Sequence, residues 1–162
     1  MGRIKRMDKK EIEKIKEITK KLLKFLDIDG DFKILEVKDG DEESVEIILN
    51  TKDAGVVIGY HGDTLEGLQL VLSLCISRTL GKFVRISIDV GDYKKNRTEW
   101  LKALATETKE RVLTEGREIA IPELKSWERR IVHLLLEGDK EVASDSQGEG
   151  RDRVLVVSPR TK

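Results

Sequence analysis

Two short stretches of the sequence carry residue types whose spacing could hold a polyanion. In the first, Gly59 and Gly62 bracket Tyr60 and His61, and Ile58 precedes them. Glycine lets the backbone approach another chain closely because it has no Cβ. A helix that begins after such a loop presents free N–H groups and the positive end of its dipole. The loop therefore has the ingredients of a clamp for a phosphate backbone.

This loop does not match the two commonest phosphate-binding motifs. A P-loop would continue with Lys and Ser or Thr, and a dinucleotide fingerprint would follow a strand. Here the chain continues with Asp63, which is predicted to cap the next helix while Glu66 completes a capping box. A glycine pair between two helices is most often only a turn, so the surrounding elements decide what it does.

The second stretch is a predicted helix that carries arginines and a histidine. At 100° per residue, one side of this helix is polar and the other is apolar. The polar arc contains Ser126, Arg129, Arg130, His133 and Glu137, and the predicted core side contains Trp127, Ile131, Leu134 and Leu135. Arg129 and His133 are four residues apart, so we expect their side chains to meet. Arginine binds phosphate through its planar fork, but the ordinary interpretation of a lone Arg-His pair is a solvated helix face.

The sequence contains no constellation that predicts catalysis, a metal site or a cofactor. His61 and His133 are its only histidines, and no carboxylate cluster with metal-ligand spacing surrounds either of them. A Gly-x-Ser-x-Gly motif is absent, and Cys75 lies in an apolar run where a buried structural thiol is predicted. Trp100 and Trp127 occupy positions predicted to face the core rather than a ligand. We therefore expect a protein that is not an enzyme.

Composition excludes further classes of protein. The 162 residues include 31 Lys+Arg and 31 Asp+Glu, so no global positive field draws the chain to nucleic acid, and any such partner must be held by local patches. Apolar runs fall short of the roughly 18–20 residues of a membrane-spanning helix, so no membrane insertion is expected. A single cysteine excludes an intrachain disulfide framework. With no signal peptide visible, the expected location is the cytoplasm.

The hydrophobic periodicity predicts an α+β protein made of two small modules. The element order is α-β-β-α-α-β followed by α-β-α-β-β, with a boundary at Gly91-Asp92 between residues 1–91 and 92–162. The first helix is predicted to begin with a capping box formed by Asp8 and Glu11. Predicted helices cover residues 8–26, a short stretch within residues 51–62, and residues 63–80, 93–115 and 125–137. Predicted strands cover residues 32–37, 45–49, 84–90, 118–121, 141–145 and 153–157. Turns are predicted at residues 38–41 and 146–150.

In this order of elements, both stretches resemble known nucleic-acid-binding modules. Ile58-Gly59-x-x-Gly62 between two helices resembles the GxxG loop of a type II KH domain, here residues 59–62, which clamps single-stranded nucleic acid. Arg129-x-x-x-His133 on a helix, followed by Gly148-Glu149-Gly150 and a Val-rich strand, resembles an R3H domain. A KH domain followed directly by an R3H domain resembles the bacterial Jag family, also called KhpB, EloR or SpoIIIJ-associated proteins.

The resemblance implies a non-catalytic protein that binds single-stranded RNA, or single-stranded DNA, without a cofactor. It also implies a post-transcriptional regulator linked to cell elongation, division or sporulation, with a KhpA-like KH partner or a homodimer. The residues that would contact nucleic acid are Ile58, Gly59, Tyr60, His61, Gly62, Arg129, Arg130 and His133, with a candidate rim of Lys94, Lys95, Arg97, Arg151 and Arg153.

The loop departs from the family pattern at its two central positions. Tyr60 and His61 stand where bacterial relatives often carry Lys or Arg, so cationic phosphate contacts are lost. Tyr60 could stack on a base or sugar instead, and His61 could donate to phosphate. This departure, together with the neutral total charge, favours an alternative function. In that alternative the chain is a protein-interaction adaptor whose KH surface mainly dimerises or docks a partner.

Overall fold

In a computed structural model, residues 7–39 and 42–160 are described, without the side chains of residues 38, 39, 42 and 43. The chain divides into two compact units, residues 1–93 (unit 1) and residues 94–162 (unit 2). The elements in chain order are α1 (Lys9–Phe25), β1 (Gly30–Asp39), β2 (Glu42–Thr51), α2 (Ala54–Ile58), α3 (Asp63–Leu80), β3 (Arg85–Val90), α4 (Tyr93–Glu115), β4 (Ile119–Ile121), α5 (Ser126–Leu136), β5 (Val142–Gln147) and β6 (Val154–Pro159). The predicted α+β class and order of elements are confirmed. Gly40 and Asp41 of the predicted hairpin turn lie outside the described residues.

Unit 1 contains a three-stranded sheet in the order β1-β2-β3. β1 pairs antiparallel with β2, and β2 pairs parallel with β3. Alternate side chains of the strands, such as Ile47 and Ile88, are buried with Ile15 of α1 and Leu72 of α3 in one hydrophobic core. This core fixes the end of α2 and the start of α3, and the loop at residues 59–62 lies between them.

The predicted capping box at the start of α1 is confirmed. The Glu11 N–H donates to Asp8 Oδ1 at 2.7 Å, and the Asp8 N–H donates to Glu11 Oε2 at 3.0 Å. Each of these bonds satisfies a backbone donor that the helix itself leaves without a partner. The sequence therefore specifies where α1 begins.

Unit 2 contains a second sheet, in the order β4-β6-β5, in which both pairings are antiparallel. A separate core lies between this sheet and the helices α4 and α5. Its buried members are Leu101, Ala105, Val112, Ile121, Leu124, Val132, Leu136, Val142, Leu155 and Val157. The packing of Val132 and Leu136 against this core fixes the helix that carries Arg129 and His133.

The buried face of α3 differs from the predicted one. Leu65, Leu72 and Ile76 are buried, whereas Cys75 is exposed, so the prediction of a buried thiol is wrong. Consecutive residues of a helix are separated by 100°, and Cys75 therefore lies beside the core face that Ile76 belongs to. The sequence was ambiguous because α3 is apolar on a second, exposed face as well.

The two tryptophans also lie on the surface, so their predicted inward positions are wrong. Trp100 is 46% exposed and Trp127 is 39% exposed. The core face of α5 consists of Glu128, Val132 and Leu136, which are spaced by four residues. Trp127 precedes Glu128 by one residue and is therefore rotated away from the core. Leu134 and Leu135, also predicted to face the core, are exposed, and Ile131 is half-buried.

The predicted turn at residues 146–150 begins too early. β5 continues through Gln147, and Ser146 pairs with Leu155 of β6. The reversal is made by Gly148, with φ +86°, and by a short 3-10 helix at Gly150–Asp152. Serine and glutamine are not among the residues that favour strands, but pairing with the buried strand β6 extends β5 through them.

Candidate nucleic-acid interface

The loop at residues 59–62 requires glycine at both of its ends. Gly59 has φ +70° and Gly62 has φ +82°, in the left-handed region that favours glycine. A Cβ on Gly59 would overlap the side chain of Thr64, and a Cβ on Gly62 would lie 2.8 Å from the hydroxyl oxygen of Tyr93. Because Gly62 is also buried, Gly62→Asp would perturb the packing of the loop as well as its surface.

The two residues between these glycines form a stacked pair of rings. The ring centroids of Tyr60 and His61 are 4.2 Å apart and their planes are inclined by 7°. Tyr60 is 67% exposed. His61 has φ +49°, which is uncommon for a residue other than glycine. Ile58, the last residue of α2, is half-buried and packs against the core of unit 1.

The start of α3 is acidic and has no side-chain cap. Gly62 is the N-cap residue and makes no side-chain hydrogen bond, so the prediction that Asp63 is the N-cap is wrong. Asp63 is the first residue of the helix, and Asp63 and Glu66 both lie in its first turn. Carboxylates at this position offset the positive end of the helix dipole. The loop thus offers an anion less positive potential than a helix N-terminus alone would give.

In unit 2, Arg129 ties the start of α5 to two backbone segments. Its Nη1 donates to the carbonyl oxygen of Leu124 and, at 3.5 Å, to that of Arg153, and its Nη2 donates to Ser126 Oγ at 3.2 Å. Arg129 is half-buried. Its guanidinium therefore orders the surface around it in addition to supplying charge.

His133 and Arg153 are each held by a serine of β5. His133 Nδ1 lies 2.8 Å from Ser144 Oγ, and Arg153 Nε donates to Ser146 Oγ at 2.9 Å. Ser144 and Ser146 are two residues apart in a strand, so they lie on the same face of the sheet. Neither serine was predicted as part of the site, since Ser144 fell in the predicted strand at residues 141–145 and Ser146 in the predicted turn at residues 146–150.

These contacts bring together six residues, which we name the Arg-His-Ser cluster. Its members are Ser126, Arg129, His133, Ser144, Ser146 and Arg153. Arg129 and His133 were expected to meet each other, but their hydrogen bonds go to different partners, Ser126 and Ser144. Because the ring of His133 is bound at Nδ1, its Nε2 is the nitrogen left to contact a ligand.

The remaining cations of the candidate site differ in their availability. Arg130 of α5 and Arg151 of the 3-10 helix are exposed. Lys94 is half-buried and Lys95 is exposed, both in the first turn of α4. Arg97, predicted as a rim residue, has its charge compensated inside unit 2.

Arg97 links α4 to α5 through a buried ion pair. Its Nε donates to Glu128 Oε1 at 2.6 Å, and the two side chains are 13% and 0% exposed. The Lys125 N–H donates to the other oxygen of Glu128 at 2.8 Å. The Arg97 guanidinium also lies 4.1 Å from the centroid of the Trp100 ring, within the range of a cation–π contact. This arrangement fixes the N-terminal end of α5, next to Arg129.

A second polar network fixes the turn between α5 and β5. Asp139 accepts hydrogen bonds from Lys109 Nζ at 2.6 Å and from the Glu141 N–H at 2.8 Å. The Lys109 ammonium, and after it the Glu141 amide, lower the pKa of Asp139 from its ordinary value. Conversely, Asp139 and Glu141 raise the pKa of Lys109. The turn places β5, and therefore Ser144, opposite His133.

The described part of the chain contains no cluster of three or more His, Cys, Asp or Glu side chains that could hold a metal ion. Among the same residues, no helix is long and apolar enough to cross a membrane.

Two protein-family models match the chain, in the order of the two units. The family described as KhpA/KhpB, KH domain, matches residues 13–88. The R3H domain family matches residues 99–159. The first match includes the loop at residues 59–62, and the second includes every member of the Arg-His-Ser cluster.

Relatives of similar sequence are known from several bacteria. The chain is 32% identical over 117 residues to the RNA-binding protein KhpB of Clostridium symbiosum, covering 72% of this chain and 53% of that protein. It is 32% identical over 119 residues to the RNA-binding protein KhpB of Streptococcus pneumoniae serotype 2 strain D39, covering 74% of this chain and 36% of that protein. It is 30% identical over 119 residues to the RNA-binding protein KhpB of Bacillus subtilis strain 168, covering 72% of this chain and 57% of that protein. The chain thus spans about half the length of the Clostridium symbiosum protein. A KhpA/KhpB-type KH domain followed by an R3H domain confirms the resemblance found in the sequence, and the chain belongs to the Jag/KhpB family.

Proposed function

We propose that this protein is a non-catalytic single-stranded RNA-binding protein, with single-stranded DNA as an alternative ligand of the same surface. The observation that carries the proposal is the Arg-His-Ser cluster, in which hydrogen bonds to β5 and to the backbone pre-position Arg129, His133 and Arg153. Pre-positioned cations and donors bind phosphate at a lower entropic cost than mobile side chains. The names of the relatives support the same ligand.

In this proposal the cluster binds the phosphate backbone at one local patch. Arg130 and Arg151 supply exposed charge beside it, and His133 Nε2 supplies a hydrogen bond. Because the total charge is zero, attraction at long range is weak and the affinity depends on these local contacts. The proposed place of action is the cytoplasm, where cellular RNA is found. The proposed role is post-transcriptional regulation linked to cell elongation, division or sporulation.

Crosslinking in cells, followed by sequencing of the bound RNA, tests this proposal. The test variant combines Arg130→Ala with His133→Ala, two exposed changes that leave the hydrogen bonds of Arg129 intact. Arg111→Ala is the matched control. Arg111 and its ion-pair partner Glu115 both lie on α4, and neither is part of the Arg-His-Ser cluster. We expect the double variant to lose most of its crosslinked RNA and the control to retain it. Absence of specific RNA with the unaltered chain would contradict the proposal.

One observation favours a second function, the docking of another KH domain. α3 presents an exposed apolar face made of Leu70, Val71 and Leu74, with Cys75 beside them. On the same face Glu66 precedes these residues by one turn and Arg78 follows them by one turn. If two copies of α3 packed antiparallel, Glu66 of each would face Arg78 of the other. This face is therefore self-complementary in charge, as a twofold interface requires.

We propose a homodimer of the KH domain as the occupant of this face. Leu74→Glu places a charge at its centre on an exposed position. We expect analytical ultracentrifugation to give a dimer for the unaltered chain and a monomer for Leu74→Glu. A monomer at all accessible concentrations would reject the homodimer. Formation of a heterodimer on addition of a KhpA-like KH protein would assign the face to that partner instead.

A further inference from the structure

The loop at residues 59–62 has an unusual chemistry for a segment expected to hold phosphate. Its two central side chains are stacked aromatic rings, with centroids 4.2 Å apart. His61 covers one face of the Tyr60 ring, so the 67% exposure of Tyr60 belongs to its other face and its edge. A flat, exposed ring held by a neighbour is the form that single-stranded nucleic-acid-binding proteins use to stack bases.

The backbone of the loop holds this pair of rings in place. Consecutive side chains in a helix diverge by about 100°, and adjacent rings seldom lie parallel there. The left-handed conformation of His61 breaks the helical path between α2 and α3 and brings the rings together. Gly59 and Gly62 are both packed against other side chains, which fixes the two ends of the loop. Tyr60 is therefore presented by a constrained segment.

The electrostatics of the segment do not favour a phosphate. From Asp53 to Ser77 the sequence contains no Lys or Arg. Asp63 and Glu66 occupy the first turn of α3, where a phosphate would otherwise meet the positive end of the helix dipole. The Gly62 N–H is directed to the carbonyl oxygen of Gly59 at 3.4 Å. Charge and donors are thus both reduced where a backbone clamp would need them.

We propose that this loop takes an unpaired nucleobase, which stacks on the exposed face of Tyr60, and that phosphate contacts are left to unit 2. The proposal rests on the RNA-binding function proposed above and assigns the ligand group at one of its two sites. Stacking is tolerant of sequence because every base has a π face. It also depends weakly on salt because it displaces no counterions from phosphate.

Fluorescence anisotropy with the full chain and a labelled single-stranded RNA decamer tests this assignment. The variants are Tyr60→Ala, which removes the ring, and Tyr60→Phe, which retains it. Phe83→Ala is the matched control, because Phe83 is 70% exposed and follows the C-terminal end of α3, whose opposite end adjoins the loop. We expect Tyr60→Ala to weaken binding at least about fivefold, and Tyr60→Phe and Phe83→Ala to change it by less than about twofold. The slope of log K against log salt should be the same for all four proteins.

An abasic decamer supplies the second measurement, because it keeps the phosphates and lacks the bases. The difference between the unaltered chain and Tyr60→Ala should disappear on this ligand. Equal affinity of Tyr60→Ala and the unaltered chain for the normal decamer would overturn the stacking assignment. A shallower salt slope for Tyr60→Ala, or an equal loss of affinity on the abasic ligand, would overturn the stacking assignment as well.

The same measurements separate a failure of the stacking assignment from a failure of the proposed function. If the unaltered chain binds RNA and His133→Ala weakens binding while Tyr60→Ala does not, only the stacking assignment fails. If the unaltered chain does not bind any RNA at low salt, the proposed function fails with it.

Discussion

The buried ion pair between Arg97 and Glu128 allows a quantitative prediction about unit 2. Glu128 is 0% exposed, and its two carboxylate oxygens accept from Arg97 Nε at 2.6 Å and from the Lys125 N–H at 2.8 Å. Glu128→Gln keeps the shape of the side chain but removes its charge. One of the two donors would then face an NH₂ group instead of an oxygen. The guanidinium of Arg97, which is 13% exposed, would remain in the interior without a counter-charge.

The size of the effect follows from this geometry. Removal of one partner of a buried ion pair costs about 3–5 kcal/mol, because the other charge is left buried and uncompensated. Since glutamine retains one acceptor, we expect Glu128→Gln to lower the free energy of unfolding of unit 2 by about 3 kcal/mol, the lower end of that range. For a unit of this size such a change lowers the melting temperature by roughly 12–24 °C. It is also a large part of the roughly 5–15 kcal/mol that stabilises a typical domain.

Tryptophan fluorescence is the appropriate assay, because both tryptophans of the chain, Trp100 and Trp127, lie in unit 2. Urea titrations of the unaltered chain and of Glu128→Gln give the difference in unfolding free energy from their midpoints and slopes. A compensated variant, Arg97→Met with Glu128→Leu, is the control. It removes both charges, so it should recover at least half of the lost stability, less the hydrogen bond to the Lys125 N–H.

Two results would contradict this prediction. A loss below about 1 kcal/mol for Glu128→Gln would mean that Glu128 and Arg97 do not form a desolvated pair. A compensated variant less stable than Glu128→Gln would mean that the attraction between Arg97 and Glu128 itself stabilises unit 2. In that case the loss in Glu128→Gln would not be caused by the buried, uncompensated charge of Arg97.

Three further predictions concern the turn after α5, the strand β5 and the helix α3. The Lys109 ammonium lowers the pKa of Asp139 in the folded chain. The Asp139 carboxylate therefore stabilises the fold above the unfolded pKa of about 4, and this contribution is lost as the pH falls through the lower folded pKa. Urea titrations should show that Asp139→Asn is less stable than the unaltered chain at pH 7, by a difference that shrinks below about pH 4. A constant difference across that range would contradict the ion pair. Ser144→Ala should weaken RNA binding by about two- to tenfold in anisotropy titrations, because it releases the ring of His133 without removing it. The loss should be smaller than that caused by His133→Ala. A larger loss would assign Ser144 a direct contact with RNA. Dilute native protein should react with a thiol reagent such as DTNB without denaturant because Cys75 is exposed, and reaction only after unfolding would contradict this.

Local sequence signals predicted the elements of the fold but not how their faces are used. The capping box of Asp8 and Glu11 and the strand predicted at residues 84–90 depend on neighbours in the sequence, and both are confirmed. The burial of Glu128 depends on Arg97, which is 31 residues away, and no periodicity reports such a partner. Because a buried glutamate occupies the core face of α5, Trp127 is rotated to the surface.

The candidate site was predictable in its residue types and only partly in its geometry. Arg129 and His133 were identified by their spacing on one helix. Apart from Ser126 on the same helix, their partners come from the preceding loop, from the residue before β6 and from β5, which no helical pattern contains. The ring stack of Tyr60 and His61 depends on the left-handed backbone conformation of His61, which is uncommon for residues other than glycine.

We propose that unit 2 binds single-stranded RNA through phosphate contacts at a local patch, and the salt dependence of affinity is the most direct test of this claim. The measurement compares the unaltered chain with the Arg130→Ala and His133→Ala double variant on one RNA across a range of salt concentrations. We expect log K of the unaltered chain to fall linearly with log salt. The double variant should bind more weakly, with a slope shallower by at least about 0.7, the contribution of one lost phosphate contact on a single strand. Identical affinities and slopes for the two proteins would contradict the claim.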